Sequence, residues 1–251
     1  MLLLHGSFMD HTTWDRVADV LATAHRVVAP DLPGFGQSEK PPENRFGYAI
    51  NSFVDAVVDL YAALELGRTI LVGHALGGAI AITLAARHPE LISRLVLLDA
   101  LCHPVRTDLA QRVALAPVIG GFAFKQLWGK GAFRAHFKES YLSRGTRIPS
   151  ARLDHYYDLF NAPAARASAL ATLRATRDTR SVVAATARIS TPTLVVWGRD
   201  DALYPAALGQ RMAREIKDAG FQLLAAGHVP QEECPAEVAS VIERFCQARA
   251  R

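Results

Sequence analysis

Six short apolar runs constrain the fold of this chain more than any other feature. Residues 1–5, 26–30, 69–73, 94–99, 193–198 and 221–225 are rich in Leu, Val and Ile and show no regular polar alternation. A strand with one wet face alternates. A strand buried on both faces does not, so these runs predict a parallel sheet covered on both sides. Between them the apolar spacing turns helical, as in Trp14, Val17, Ala18 and Leu21, and in Phe53, Val57, Leu60 and Leu64. Residues 76–88 are apolar almost all round, which predicts a buried helix that Pro89 ends. Residues 205–219 and 235–247 both open with proline, where the missing N–H costs nothing. Strands separated by helices imply right-handed crossovers and an α/β, mostly parallel, doubly wound sheet.

Residues 102–188 break this rhythm: they hold no strand-like run and many aromatics. They predict a helical insertion in a core made of residues 1–101 and 189–251. The chain is 50% hydrophobic, which excludes disorder. Cys102, Cys234 and Cys246 are too few for a disulfide scaffold and fit a reducing, cytoplasmic setting as packed small side chains. No apolar run approaches the ~18 residues that cross a bilayer. The opening Leu2-Leu3-Leu4 stops at His5-Gly6, too short for a secretory leader.

The chemistry concentrates at strand ends. Leu71-Val72-Gly73-His74-Ala75-Leu76-Gly77-Gly78 runs from strand through a glycine-flanked turn into a buried helix. That is the context of a nucleophile elbow, G-x-S-x-G, in which one side chain stands at the sheet edge beside a helix N-terminus. The central residue here is Ala75, so the reacting atom is missing. An acid should follow a later strand and a histidine the last one. Gly198-Arg199-Asp200-Asp201 supplies the first and Gly227-His228 the second. His228 suits a general base, with Asp201 fixing its tautomer; Asp200 and Asp99 are the alternative acids. The backbone N–H groups of Ser7 and Leu76 can form an oxyanion hole. His5 and His74 read as turn histidines; His103, His136 and His155 read as residues of the insert. No pair has metal-ligand spacing, and no phosphate-loop lysine follows Gly78. The expectation is therefore an enzyme with neither metal nor cofactor.

These pieces, HG at residues 5–6, DLPGFGQS at 31–38, GHALGG at 73–78, GRDD at 198–201 and GHVPQEECP at 227–235, stand in one order, each after a strand-like run. In this the chain resembles the α/β-hydrolase superfamily over its whole length. The resemblance implies position 75 as the nucleophile, Asp201 as the triad acid and His228 as its base. It also implies that the insert is a helical cap, with Phe8, Trp128, Tyr156 and Tyr157 lining the pocket. It points to small esterases, lactonases and carbon–carbon hydrolases. Relative to the family pattern, the N-terminal hairpin is missing, which leaves residues 26–30 as an edge strand.

Ala75 has two readings. One is a serine-to-alanine replacement in a Ser-His-Asp hydrolase. The other is a protein that works without a covalent intermediate, a lyase, cyclase or hydrolase using only the His228–Asp201 dyad. The cap tyrosines Tyr141, Tyr156 and Tyr157 raise a third class, an epoxide hydrolase or dehalogenase whose aspartate nucleophile has been replaced. Leu76 resembles the serine enzymes more than those.

The charge is unevenly placed. Between Leu101 and Ser190 there are fourteen Lys and Arg against five Asp and Glu, a balance of +9, whereas the rest carries −5. The basic residues sit in the predicted cap, which suits a small anionic substrate rather than nucleic acid or a membrane.

Overall fold

The computed structural model describes residues 1–104, 129–143, 145–146 and 148–248. Five strands form one sheet among them: β1 (Leu2–Leu4), β2 (Thr69–His74), β3 (Ile92–Leu98), β4 (Thr193–Gly198) and β5 (Gly220–Leu224). They pair in that order, every pair parallel. The helices are α1 (Asp15–Leu21), α2 (Ile50–Ala63), α3 (Leu76–Arg87), α4 (Lys130–Ser140), α5 (Ser150–Phe160), α6 (Pro163–Ala175), α7 (Arg180–Thr186), α8 (Ala206–Glu215), α9 (Pro230–Glu233) and α10 (Pro235–Gln247).

The unalternating strands are buried on both faces, as their composition requires. Leu2, Leu4, Leu71, Leu95, Leu97, Val195 and Trp197 face a core shared with α2 and α3. Leu3, Val72, Val96, Leu98 and Val196 point the other way, onto Trp14, Val17 and Leu21 around α1 and Val238 and Ile242 of α10. Each fully buried aliphatic side chain contributes roughly 1.5–3 kcal/mol relative to exposure. Both faces therefore hold the sheet.

Residues 26–30 do not form the expected strand. Only Val28 pairs, as a single parallel bridge to Leu2, donating its N–H to Met1 O and accepting from Leu3 N–H, each at 2.9 Å. β1 is three residues long, so it offers little edge, and Pro30 has no N–H to extend the ladder. The bridge still has a topological consequence. The chain leaves β1 outward through α1, then returns through α2 to pair on the other side of β1. α1 and α2 thus cover opposite faces, and the carboxyl ends of β1 and β2 form a switch point, where open α/β sheets place their ligands.

Between β3 and β4 the described residues form the four helices α4–α7. Phe133, Phe137, Tyr141, Tyr156, Tyr157 and Phe160 gather with Phe8, Met9 and Val229 in a third apolar cluster. Those last three residues follow β1 and β5, so the helical segment packs over the carboxyl edge of the sheet. Polar contacts join the same parts. Arg152 donates to Thr12 O at 2.7 Å, His155 Nε2 meets Asp10 Oδ2 at 2.8 Å, and Tyr156 donates to Glu232. Among the described residues no helix is long and apolar enough to cross a membrane.

Candidate active site

β2 runs into Ala75, whose φ of 47° and ψ of −110° precede α3 directly. A positive φ at a residue with a Cβ is strained and persists only where the surroundings impose it. Here they do. Ala75 N–H donates to Leu98 O at 3.1 Å, and its carbonyl accepts from Leu101 and Ala79. The turn closes only because its flanks lack side chains. A Cβ on Gly73 would collide with the Gly77 carbonyl, and one on Gly77 with that of Leu4. Leu76 is the first residue of α3, a position whose N–H has no acceptor within the helix. Ser7, partly buried, follows Gly6 at the end of β1. That loop lies against the elbow, because Gly77 N–H donates to His5 O at 3.2 Å.

His228 follows β5 and is 2% exposed. Its Nδ1 stands 2.8 Å from Asp201 Oδ2. The other oxygen, Oδ1, accepts from Leu203 and Tyr204 N–H, both at 2.8 Å. Asp201 is thus held as an acceptor, and Nδ1–H is the proton His228 gives it. Nε2 is then the ring's basic nitrogen. Tyr204 and Tyr141 meet the imidazole edge-on, at centroid distances of 4.9 and 5.3 Å. Burial raises both phenols above their usual range, so neither competes as a base.

Two other histidines brace the loops. His74 Nε2–H donates to His228 O at 2.7 Å. Burial pushes His74 well below its usual range, with His228 nearby adding to the effect, so it is a neutral strut between the elbow and the His228 loop. His5 accepts from Leu32 N–H through Nε2 at 2.9 Å and therefore donates from Nδ1 to Gly6 O at 2.8 Å. Burial lowers it too.

Of the alternative acids, Asp200 is exposed, and Asp99 is fully buried at the end of β3. Asp99 Oδ1 accepts from Gly198 N–H at 2.8 Å; His228 takes Asp201 as its partner. The carboxylates and imidazole of Asp99, Asp201 and His228 offer atoms within 4.8 Å of one another, as do Asp10, His11 and Asp31. Asp201 Oδ2 and His228 Nδ1 already pair with each other. Asp31 accepts from His11 and Gln37, and Asp10 from Thr12 and His155. The carboxylates of both groups are therefore engaged with protein donors, Asp99 Oδ2 excepted.

Among the residues expected at the pocket, Phe8 and Tyr156 line a narrow apolar pocket with Phe35, Phe160 and Ala169. Tyr157 packs edge-on against Phe133 at 5.6 Å and does not line it. Trp128 lies outside the described residues. Tyr156 has its hydroxyl committed to Glu232, whereas Tyr141 is the insert tyrosine that reaches His228. Tyr204 and Glu233 are not apparent from sequence. The one available signal is that Glu232-Glu233 follow His228 within about one helical turn.

A family model described as "Alpha/beta hydrolase family" matches residues 1–241. The chain is 31% identical to a 2-hydroxymuconate semialdehyde hydrolase of Pseudomonas sp., over 98% of this chain and 86% of the other. It is 26% identical to a 2-hydroxy-6-oxo-6-(2'-aminophenyl)hexa-2,4-dienoic acid hydrolase of Metapseudomonas resinovorans, over 100% and 84%. A solved structure of a thermophilic esterase from Thermogutta terrifontis superposes with a TM-score of 0.83 at 25% identity, covering 98% of this chain and 88% of the esterase. The parallel sheet, the elbow and the matched family model agree. The chain belongs to the alpha/beta hydrolase family.

Proposed function

We propose that this chain has the site of a hydrolase that cleaves an ester, a lactone or an activated carbon–carbon bond in a small anionic molecule, with Ala75 standing where the nucleophile belongs. One observation carries this reading: Ala75 keeps an elbow conformation of φ 47° and ψ −110° beside a complete His228–Asp201 pair. Such strain costs on the order of 1–3 kcal/mol. A methyl group gains nothing from it; a hydroxyl aimed at a carbonyl does.

With serine at position 75, Oγ attacks the substrate carbonyl carbon while His228 Nε2 takes the hydroxyl proton. Asp201 supports the imidazolium, and the N–H groups of Ser7 and Leu76 hold the oxyanion. His228 then gives its proton to the leaving oxygen or carbon as that bond breaks. A water deprotonated by His228 attacks the acyl–Oγ ester and releases the acid and the serine hydroxyl. Residues 102–188 act as a lid over this site. Their basic excess, and the dienoic acid named as the substrate of one relative, favour a carboxylate-bearing substrate.

The test is Ala75→Ser, assayed with short aryl esters, lactones and 2-hydroxy-6-oxo-dienoates. A gain on the order of 10⁴–10⁶ in kcat is expected. No gain overturns the covalent reading. The complete dyad also supports a second reading, non-covalent catalysis with alanine as the working residue. That reading requires the alanine protein to turn over by itself and His228→Ala to abolish it.

A further inference from the structure

One buried acid is left without a role in this chemistry. Asp99 is 0% exposed and sits at the end of β3 with φ 41°. Its Oδ1 accepts from the N–H of Gly198, which opens the loop that carries Asp201. Its Oδ2 is buried without a hydrogen-bond partner. A carboxyl oxygen of Asp99 lies within 4.8 Å of Asp201 and of the His228 ring. The titratable groups around it are Asp201, His228, Glu233 and Cys234.

Two carboxylates this close, away from water, do not both ionise. Which one keeps the proton follows from the donors each has. Asp201 accepts from Leu203 N–H, Tyr204 N–H and His228 Nδ1. Asp99 accepts from one backbone N–H. The negative charge therefore belongs on Asp201 and the proton on Asp99. Burial, with the Asp201 charge as the second cause, acts in the same direction and holds the Asp99 carboxyl well above the usual range.

We propose that Asp99 is a positioning residue for the acid–base pair: a neutral carboxylic acid that pins the Asp201 loop through Gly198 and turns its own O–H toward the Asp201 carboxylate. An ionised Asp99 would add a second negative charge behind His228 and hold the imidazole cationic. A neutral Asp99 leaves His228 able to act as a base.

This role rests on the acid–base reading of Asp201 and His228 given above. NMR reads the proton itself and needs no turnover, so the two can fail separately. The experiment uses the full chain with 13C-carboxyl aspartate, the Asp99 signal being identified by its loss in Asp99→Asn. The Asp99 carbon is expected to stay in its protonated form through pH 7 and to ionise at least one pH unit lower in Asp201→Asn, where the opposing charge is gone. An Asp99 already ionised at pH 6, or one indifferent to Asp201→Asn, overturns the proposal. The positioning arm follows the His228 titration and its downfield Nδ1–H signal. Asparagine mimics a neutral acid, so Asp99→Asn keeps the signal and moves the titration by less than about 0.3 pH unit. Asp99→Leu loses or broadens the signal. A fall of about one pH unit or more in Asp99→Asn shows that Asp99 carried a charge and overturns the proposal. Retention of the sharp signal in a folded Asp99→Leu overturns the positioning role. If Asp99→Leu does not fold, the carboxyl titration and Asp99→Asn decide.

Discussion

Glu233 Oε2 accepts from both the N–H and the hydroxyl of Ser143, at 3.0 and 2.6 Å, across 90 residues of sequence. Its other oxygen accepts from Gly227 N–H at 2.7 Å, and His228 N–H donates to Tyr141 O at 2.8 Å. The loop that carries the histidine is thus tied to the segment leaving α4. The helical insert docks on the loop of His228, so Glu233→Gln should loosen both. An amide nitrogen set against donor N–H and O–H groups loses acceptors, at about 1–3 kcal/mol. Urea denaturation reads that loss. Faster amide exchange at both Gly227 and Ser143 reads the coupling, and protection changing at only one of them contradicts it.

Asp201→Asn should keep the fold and cost activity. The amide offers an N–H where His228 Nδ1–H needs an acceptor, which stabilises the wrong tautomer. In the Ala75→Ser background kcat is expected to fall on the order of 10⁴-fold, as in a serine protease with the same change. Because Asp200 is exposed, Asp200→Asn should leave the rate nearly unchanged. Steady-state kinetics of the two variants separate these neighbours.

His74 makes stability depend on pH. Its folded-state affinity for protons lies well below the unfolded value of 6.5, because burial opposes the charged ring. Below that pH the unfolded chain binds the proton and the folded one does not. Stability is therefore full above 6.5 and is lost as pH falls. A single such group contributes a slope of about 1.4 kcal/mol per pH unit. In His74→Gln, the dependence of unfolding free energy on pH between 5 and 6 should flatten by about that amount, measured by chemical denaturation. An unchanged slope means that His74 is charged in the folded protein.

Gly77→Ala tests the elbow packing. The added methyl meets the backbone carbonyls of Leu4 and His5, which cannot rotate away as a flexible side chain would. A loss of about 1–3 kcal/mol or more is expected. Gly131, with nothing within 4 Å of its would-be Cβ, serves as a control inside α4, where alanine should be neutral or stabilising.

Cys102 and Cys234 should resist alkylation. Burial pushes both thiols up to about 12, so little thiolate exists at pH 8. Iodoacetamide should label them slowly in the folded chain and quickly in urea, as followed by mass spectrometry.

Much of this protein is local and therefore legible in its sequence. Unalternating runs specify strands buried on both faces, and Pro235 and the apolar period up to Gln247 specify α10 within its exact bounds. The glycines at 73 and 77 mark the elbow because a tight turn leaves no room for a Cβ. What the sequence leaves open is the choice among chemically similar partners far apart in the chain. Asp99, Asp200 and Asp201 are equal as letters; the order of β3, β4 and β5 puts Asp201 on His228 and Asp99 behind it. Residues 26–30 have a strand's composition, but a three-residue neighbour and Pro30 reduce them to one bridge. Tyr156 looked as free to meet a substrate as Tyr141, until Glu232 claimed its hydroxyl. Periodicity and turn chemistry are properties of neighbouring residues, so sequence alone sets the elements and the strand-end loops. Which buried donor meets which acceptor is set by strand order and helix docking, and only the tertiary structure decides it.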